Sequence, residues 1–200
     1  AVSGLTEYVT MWAEMANAGQ LAYRKVNQPS VSYVLYNQHT GGLSGLMNNA
    51  KIRLAISLCL NRDEYVNTVQ SGLYTVAYGL IPGGIMVGDQ EYRAVTDEPL
   101  KALLEQYNSQ DSIVALFKEG VAEVTGSDDL SSVNLTILGT ASSTLARTQL
   151  EWLSQSVANY FGIQTTLNAQ GDSATFVEER NNNNYDLGFQ AWNGDYNDPL

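Results

Sequence analysis

Between Val133 and Ala191 short β-branched runs alternate with longer segments of helical period, and this alternation restricts the fold more than any other feature of the chain. It predicts strands at 133–138, 163–167 and 185–191 with helices at 143–161 and 174–181 between them. A β-α-β-α-β order is that of parallel strands joined by right-handed crossovers, so the expected class is α/β with a mixed sheet. In such sheets ligands gather beyond the carboxyl ends of the strands, which is where Trp192 and Asp195 are expected to lie.

Upstream, Tyr8, Val9, Met11, Trp12, Met15 and Ala16 form a helical stripe over 8–18. The β-branched and aromatic run 31–36, bounded by Pro29-Ser30 and Asn37-Gln38, reads as a strand. A helix is predicted at 49–60, with Ile52, Ala55, Ile56 and Cys59 on its apolar face. Asn61 followed three residues later by Glu64 marks the start of a further helix, 63–70, that Gly72 stops. The glycine-rich segment 78–96, with Pro82-Gly83-Gly84, reads as a long surface loop, and helices follow at 98–107 and 111–124. The run Asn181 to Asn184 reads as a helix end, because asparagine tolerates the left-handed conformation needed there.

Composition removes several function classes. The 200 residues are 44% hydrophobic, enough for a substantial core, and carry 21 acids against 10 bases. A formal charge of -11 opposes attraction to nucleic acid and to anionic membrane surfaces. One cysteine, Cys59, permits no internal disulfide and no thiolate metal cage, and its apolar surroundings make it a core residue. The single histidine, His39, precedes Thr40-Gly41-Gly42 and reads as a loop residue. No apolar run reaches membrane-spanning length and the first residues show no basic segment or cleavage pattern, so the chain as given reads as soluble and as part of something longer. No cofactor or metal is expected.

The closing segment, Trp192-Asn193-Gly194-Asp195-Tyr196-Asn197-Asp198-Pro199, pairs an aromatic ring with an acid three residues on. Carboxylate and indole together suit a cationic ligand, through charge and through the ring face. On chemistry alone an equal alternative is a buried indole with a turn aspartate. Other patterns are weaker. Glu178 or Glu179 paired with Asp195 would resemble the two carboxylates of a glycosidase, although adjacent helical acids point apart. Asp195, Asn197 and Asp198 have the spacing to begin a calcium loop but lack its later residues. Asn134-Leu135-Thr136 matches a glycosylation acceptor but falls inside a predicted strand, which makes the match a chance one.

Three segments resemble the extracytoplasmic solute-binding proteins of oligopeptide ABC transporters. The first is Tyr33 to Gln38 with Asn49 to Asp63, similar to the family's strand ending in asparagine and its helix leading to an acid-Arg-Asp turn, where Asn61 replaces the acid. The second is Ala77-Tyr78-Gly79-Leu80-Ile81-Pro82, and the third runs from Gly162 through Phe176 and Asp186 to the closing Trp-x-x-Asp segment. The likeness spans nearly the whole chain from about Ser30.

The resemblance implies a type II periplasmic-binding-protein-like lobe, incomplete relative to the full two-lobe fold, with residues 1–60 as the end of the first lobe and 61–200 as the first part of the second. It implies no catalysis: two lobes close over an extended oligopeptide, which is delivered to a membrane permease with its ATPase. The protein would be extracytoplasmic, periplasmic or a cell-surface lipoprotein, and would meet the membrane only through a lipid anchor outside this chain. On this resemblance Asp195 meets the peptide's ammonium group, Trp192 packs nearby, and the main chain of Ala191 and Asn193 pairs with the peptide as an added strand. Asn37 is a further candidate ligand contact. Arg180 matches an arginine that a relative turns toward the peptide's carboxyl end, while Phe189 stands where that relative has a second arginine. Two other readings remain at this stage: a binder of another small solute, such as a signalling peptide, metal chelate or sugar, and a hydrolase built on Asp195 with Glu178 or Glu179.

Overall fold

A computed structural model describes residues 8–22, 24, 26 and 28–195. Helix α1 (Val9–Asn17) comes first and buries none of its residues. Strand β1 (Ser30–Tyr36) leads through a glycine-containing loop to α2 (Ala50–Cys59). The Asn49 side chain caps α2 by accepting the N–H groups of Lys51 and Ile52 at 2.9 and 3.2 Å. The Asn61 cap is present as expected, with its oxygen accepting the Glu64 N–H at 3.1 Å. The helix it starts is not uniform: α3 (Arg62–Glu64) passes into a π-helical turn, Tyr65–Val69.

The segment 78–96 differs from the expected loop. It holds a small antiparallel hairpin, β2 (Met86–Val87) with β3 (Gln90–Glu91), and a helical turn, α4 (Tyr92–Val95). Gly88, at φ +61°, supplies the left-handed residue of the turn. Two-residue strands are too short to leave a periodic signature. Helices α5 (Pro99–Gln106) and α6 (Gln110–Thr125) follow, α6 ending at Gly126 in the left-handed conformation.

The β-α-β-α-β unit is present in full: β4 (Asn134–Thr140), α7 (Thr144–Phe161), β5 (Gln164–Gln170), α8 (Ser173–Asn181) and β6 (Leu187–Asn193). The larger sheet has the order β1-β6-β4-β5; β4 runs parallel to both neighbours and β1 antiparallel to β6. The Asn run ends α8 as read, with Asn183 at φ +59°.

The two crossover helices cover opposite faces. On one face Leu150, Leu153, Val157 and Phe161 of α7 join Ile52 and Ile56 of α2, Phe117 of α6 and the strand residues Leu135, Ile137 and Leu187 in one core. On the other, Phe176 of α8 packs with Leu138 and Tyr185. Residues of α2 thus share the first core with residues of the later elements. Cys59 is buried there, and burial pushes its thiol up to about 12. His39 lies in an exposed turn.

Candidate functional site

The β1-β6 ladder runs from Ser30 opposite Asn193 to Tyr36 opposite Leu187 without a bulge. Two main-chain hydrogen bonds bracket it: the Asn37 N–H donates to the Asp186 carbonyl at 2.9 Å, and the Gly194 N–H donates to the Pro29 carbonyl at 2.6 Å. Bonded and non-bonded pairs alternate in an antiparallel ladder, so positions 188, 190 and 192 of β6 turn their main-chain groups toward β1. Phe189, Ala191 and Asn193 therefore turn theirs the other way, toward the β4 side.

On that side β6 pairs with β4 only at Leu187 and Gly188, while β4 itself continues along β5 to Thr140. Past Gly188 the two strands diverge, and among the described residues no strand pairs with the edge from Phe189 to Asn193. The last ladder position, Leu138 with Gly188, takes up the Phe189 N–H, so the edge presents the N–H groups of Ala191 and Asn193 and the carbonyls of Phe189, Ala191 and Asn193, a template for an extended chain.

Trp192 corrects two expectations. It lies inside β6, paired with Val31, rather than beyond the strand end. Its side chain is 60% exposed, which overturns the buried-indole reading. Asp195 follows in an exposed bend and, among the described residues, has no hydrogen-bond or ion-pair partner. The ring and carboxylate thus stand open at the end of the unpaired edge. Asn197 and Asp198, the rest of the calcium-loop pattern, lie outside the described residues.

The other candidates are placed elsewhere. Asn37 is 2% exposed; its amide nitrogen donates to the carbonyls of Asn183 and Tyr185 at 3.3 and 3.1 Å, and its oxygen accepts the Thr40 N–H at 3.4 Å. It joins the end of β1 to the turn before β6 from inside the fold. Arg180 is half-buried in the last turn of α8, where its charge partly offsets the upward effect of burial on the Tyr185 phenol. All of β6, roughly 20 Å at strand rise, separates Tyr185 from Asp195. Glu179 accepts a hydrogen bond from Asn168 of β5 at 2.8 Å, two strands away from β6. Among the described residues no carboxylate is paired with Asp195.

Sequence reasoning missed a group beside the start of the open edge. The π-helical turn sets the Tyr65 ring against Phe189 of β6, with ring centres 5.7 Å apart, and against Trp152 of α7 at 4.7 Å. The Tyr65 hydroxyl accepts hydrogen bonds from the carboxamides of Gln70 and Gln149 at 2.7 and 2.9 Å. Burial holds the Tyr65 phenol at about 12. Among the described residues Gln70 Oε1 and Trp152 Nε1 are both buried there without a partner, a local cost that folds tolerate more often at functional places. A π-turn leaves no mark in hydrophobic period, and Phe189 is 124 residues from Tyr65, so no sequence signal joined them.

Comparison with known proteins identifies the family and the fold. The profile of the bacterial extracellular solute-binding proteins, family 5 Middle, matches residues 6–200. No curated protein sequence matches. Among solved structures, Listeria monocytogenes OppA bound to peptide is similar at a TM-score of 0.73 and 22% identity, over 94% of this chain and 35% of that one. The substrate-binding domain of an oligopeptide ABC transporter from Bacillus anthracis is similar at 0.69 and 18%, over 95% and 38%. The Escherichia coli murein tripeptide binding protein MppA is similar at 0.66 and 18%, over 95% and 34%. The chain thus spans between a third and two-fifths of the length of these relatives, and shares their fold over that span. Among the described residues no helix is long and apolar enough to cross a membrane.

Proposed function

Because the chain belongs to the bacterial extracellular solute-binding proteins of family 5, we propose that it binds oligopeptides outside the cell along the open edge of β6 and passes them to an ABC permease powered by its ATPase. The observation that carries this reading is the edge from Phe189 to Asn193, with which no strand pairs among the described residues, ending at an exposed indole and a carboxylate that has no partner among them. Every peptide offers the same N–H and C=O groups, so pairing with this edge accepts many sequences. Asp195 takes the ammonium group, and Trp192 shields that contact from water. The described residues form one wall of the cleft. Binding involves no chemistry on the ligand.

The test is Asp195→Asn, which keeps the shape of the side chain and removes its charge. Peptides with free N-termini lose roughly 10- to 100-fold in affinity by calorimetry on the complete gene product, the scale of a hydrogen bond to a charged group, while N-acetylated peptides change little. Equal losses for both would sink the role of Asp195.

A further inference from the structure

We propose that Phe189, Tyr65 and Trp152 form a subsite that selects an aromatic or large aliphatic side chain at about the fifth residue of a bound peptide. This rests on the peptide reading above and adds to it a specificity the fold builds in. A ligand whose ammonium meets Asp195 runs antiparallel to β6, from Asn193 back toward Phe189. With its first residue opposite Asn193, the third stands opposite Ala191 and the fifth opposite Phe189, one ligand residue per strand position. Directly opposed residues share a face, so the fifth side chain falls on the face that carries Phe189 and Tyr65.

That face suits an apolar side chain for three reasons. The rings of Phe189, Tyr65 and Trp152 are all half-buried and so keep surface to offer. The polar atoms of the corner are turned inward: Gln70 Oε1 and Trp152 Nε1 are buried, and the Tyr65 hydroxyl is occupied by two carboxamides, so the offered surface is ring carbon. The neighbouring positions on the same face, Ala191 and Ser32, are small and exposed, which leaves room for a bulky group. The two carboxamides also fix the Tyr65 ring, so the wall is set before a ligand arrives.

The experiment compares hexa-alanine with the five hexapeptides that place one phenylalanine at positions two to six, by calorimetry on the complete gene product. The expected result is roughly tenfold tighter binding for phenylalanine at position five than at positions four and six, with the preference collapsing toward unity in Phe189→Ala. Equal binding at all positions, or a preference unchanged by Phe189→Ala, overturns the subsite while leaving peptide binding in place. If Phe189→Ala does not fold, the positional scan on the unaltered protein decides alone. Binding of none of the peptides overturns the peptide reading and the subsite with it.

Discussion

Asp186 is the one fully buried acid among the described residues and holds three segments together. Its Oδ1 accepts from the Ser44 N–H and hydroxyl at 2.8 and 2.7 Å, and its Oδ2 accepts from the Thr136 N–H at 2.7 Å. The loop after β1, the centre of β4 and the start of β6 therefore meet at one carboxylate, just below the open edge. Gly42 approaches this group so closely that a Cβ there would collide with Oδ1, and its φ of +78° disfavours any other residue. Asp186→Ala leaves half-buried donors at Ser44 and Thr136 without their partner. The expected loss is about 3 kcal/mol of unfolding free energy in urea. A loss below about 1 kcal/mol would mean that water replaces the carboxylate. The sequence displays Asp186 only as an acid before an apolar strand; its partners lie 142 and 50 residues away, which no local pattern reveals.

At the level of elements, helices with a long apolar stripe were legible to within a residue or two: the stripe read on α2 is the buried one, and the crossover unit is as predicted. Elements defined by a few residues were not, as the β2-β3 hairpin and the π-helical turn show. For the candidate site, the sequence pointed to Trp192 and Asp195, but whether Ala191 and Asn193 face an open edge depends on the parity of pairing with a strand some 160 residues earlier. The α2-α6 crossing is set by Gly120 of α6, where a Cβ would come to 2.7 Å from Ile52 Cγ1 and 2.8 Å from Asn49 Oδ1. Alanine there gains about 1 kcal/mol of helix propensity. Against this stand overpacking, at about 1–3 kcal/mol, and disturbance of the Asn49 cap, at about 1 kcal/mol. Gly120→Ala should therefore lower Tm by a few degrees, roughly 2–4 °C per kcal/mol for a chain of this size. A higher Tm would show that the two helices separate freely.

For the molecule as a whole, protons held by burial link the cores to alkaline pH, and three of them are raised to about 12. The Tyr36 hydroxyl, 2.9 Å from Ser57 Oγ, is pushed by burial from its ordinary 10.0 to about 12. The Cys59 thiol, donating to the Ile56 carbonyl at 3.2 Å, rises from 9.0 to about 12, and the Tyr65 phenol from 10.0 to about 12. These groups come from β1, α2 and the π-turn beside β6, so exposing all three requires the protein to unfold. Between about pH 9 and 12 the native state keeps protons that the unfolded chain releases, and stability falls as pH rises. The contribution is complete below pH 9 and gone above 12, with each group adding a slope of roughly 1.4 kcal/mol per pH unit while its two states differ. The urea midpoint should be lower at pH 10.5 than at pH 8, and Tyr36→Phe should make the decline shallower by removing one of the three protons. Equal midpoints at the two pH values would show that these sites admit water in the native state, and would loosen the packing on which the fixed aromatic wall beside the open edge depends.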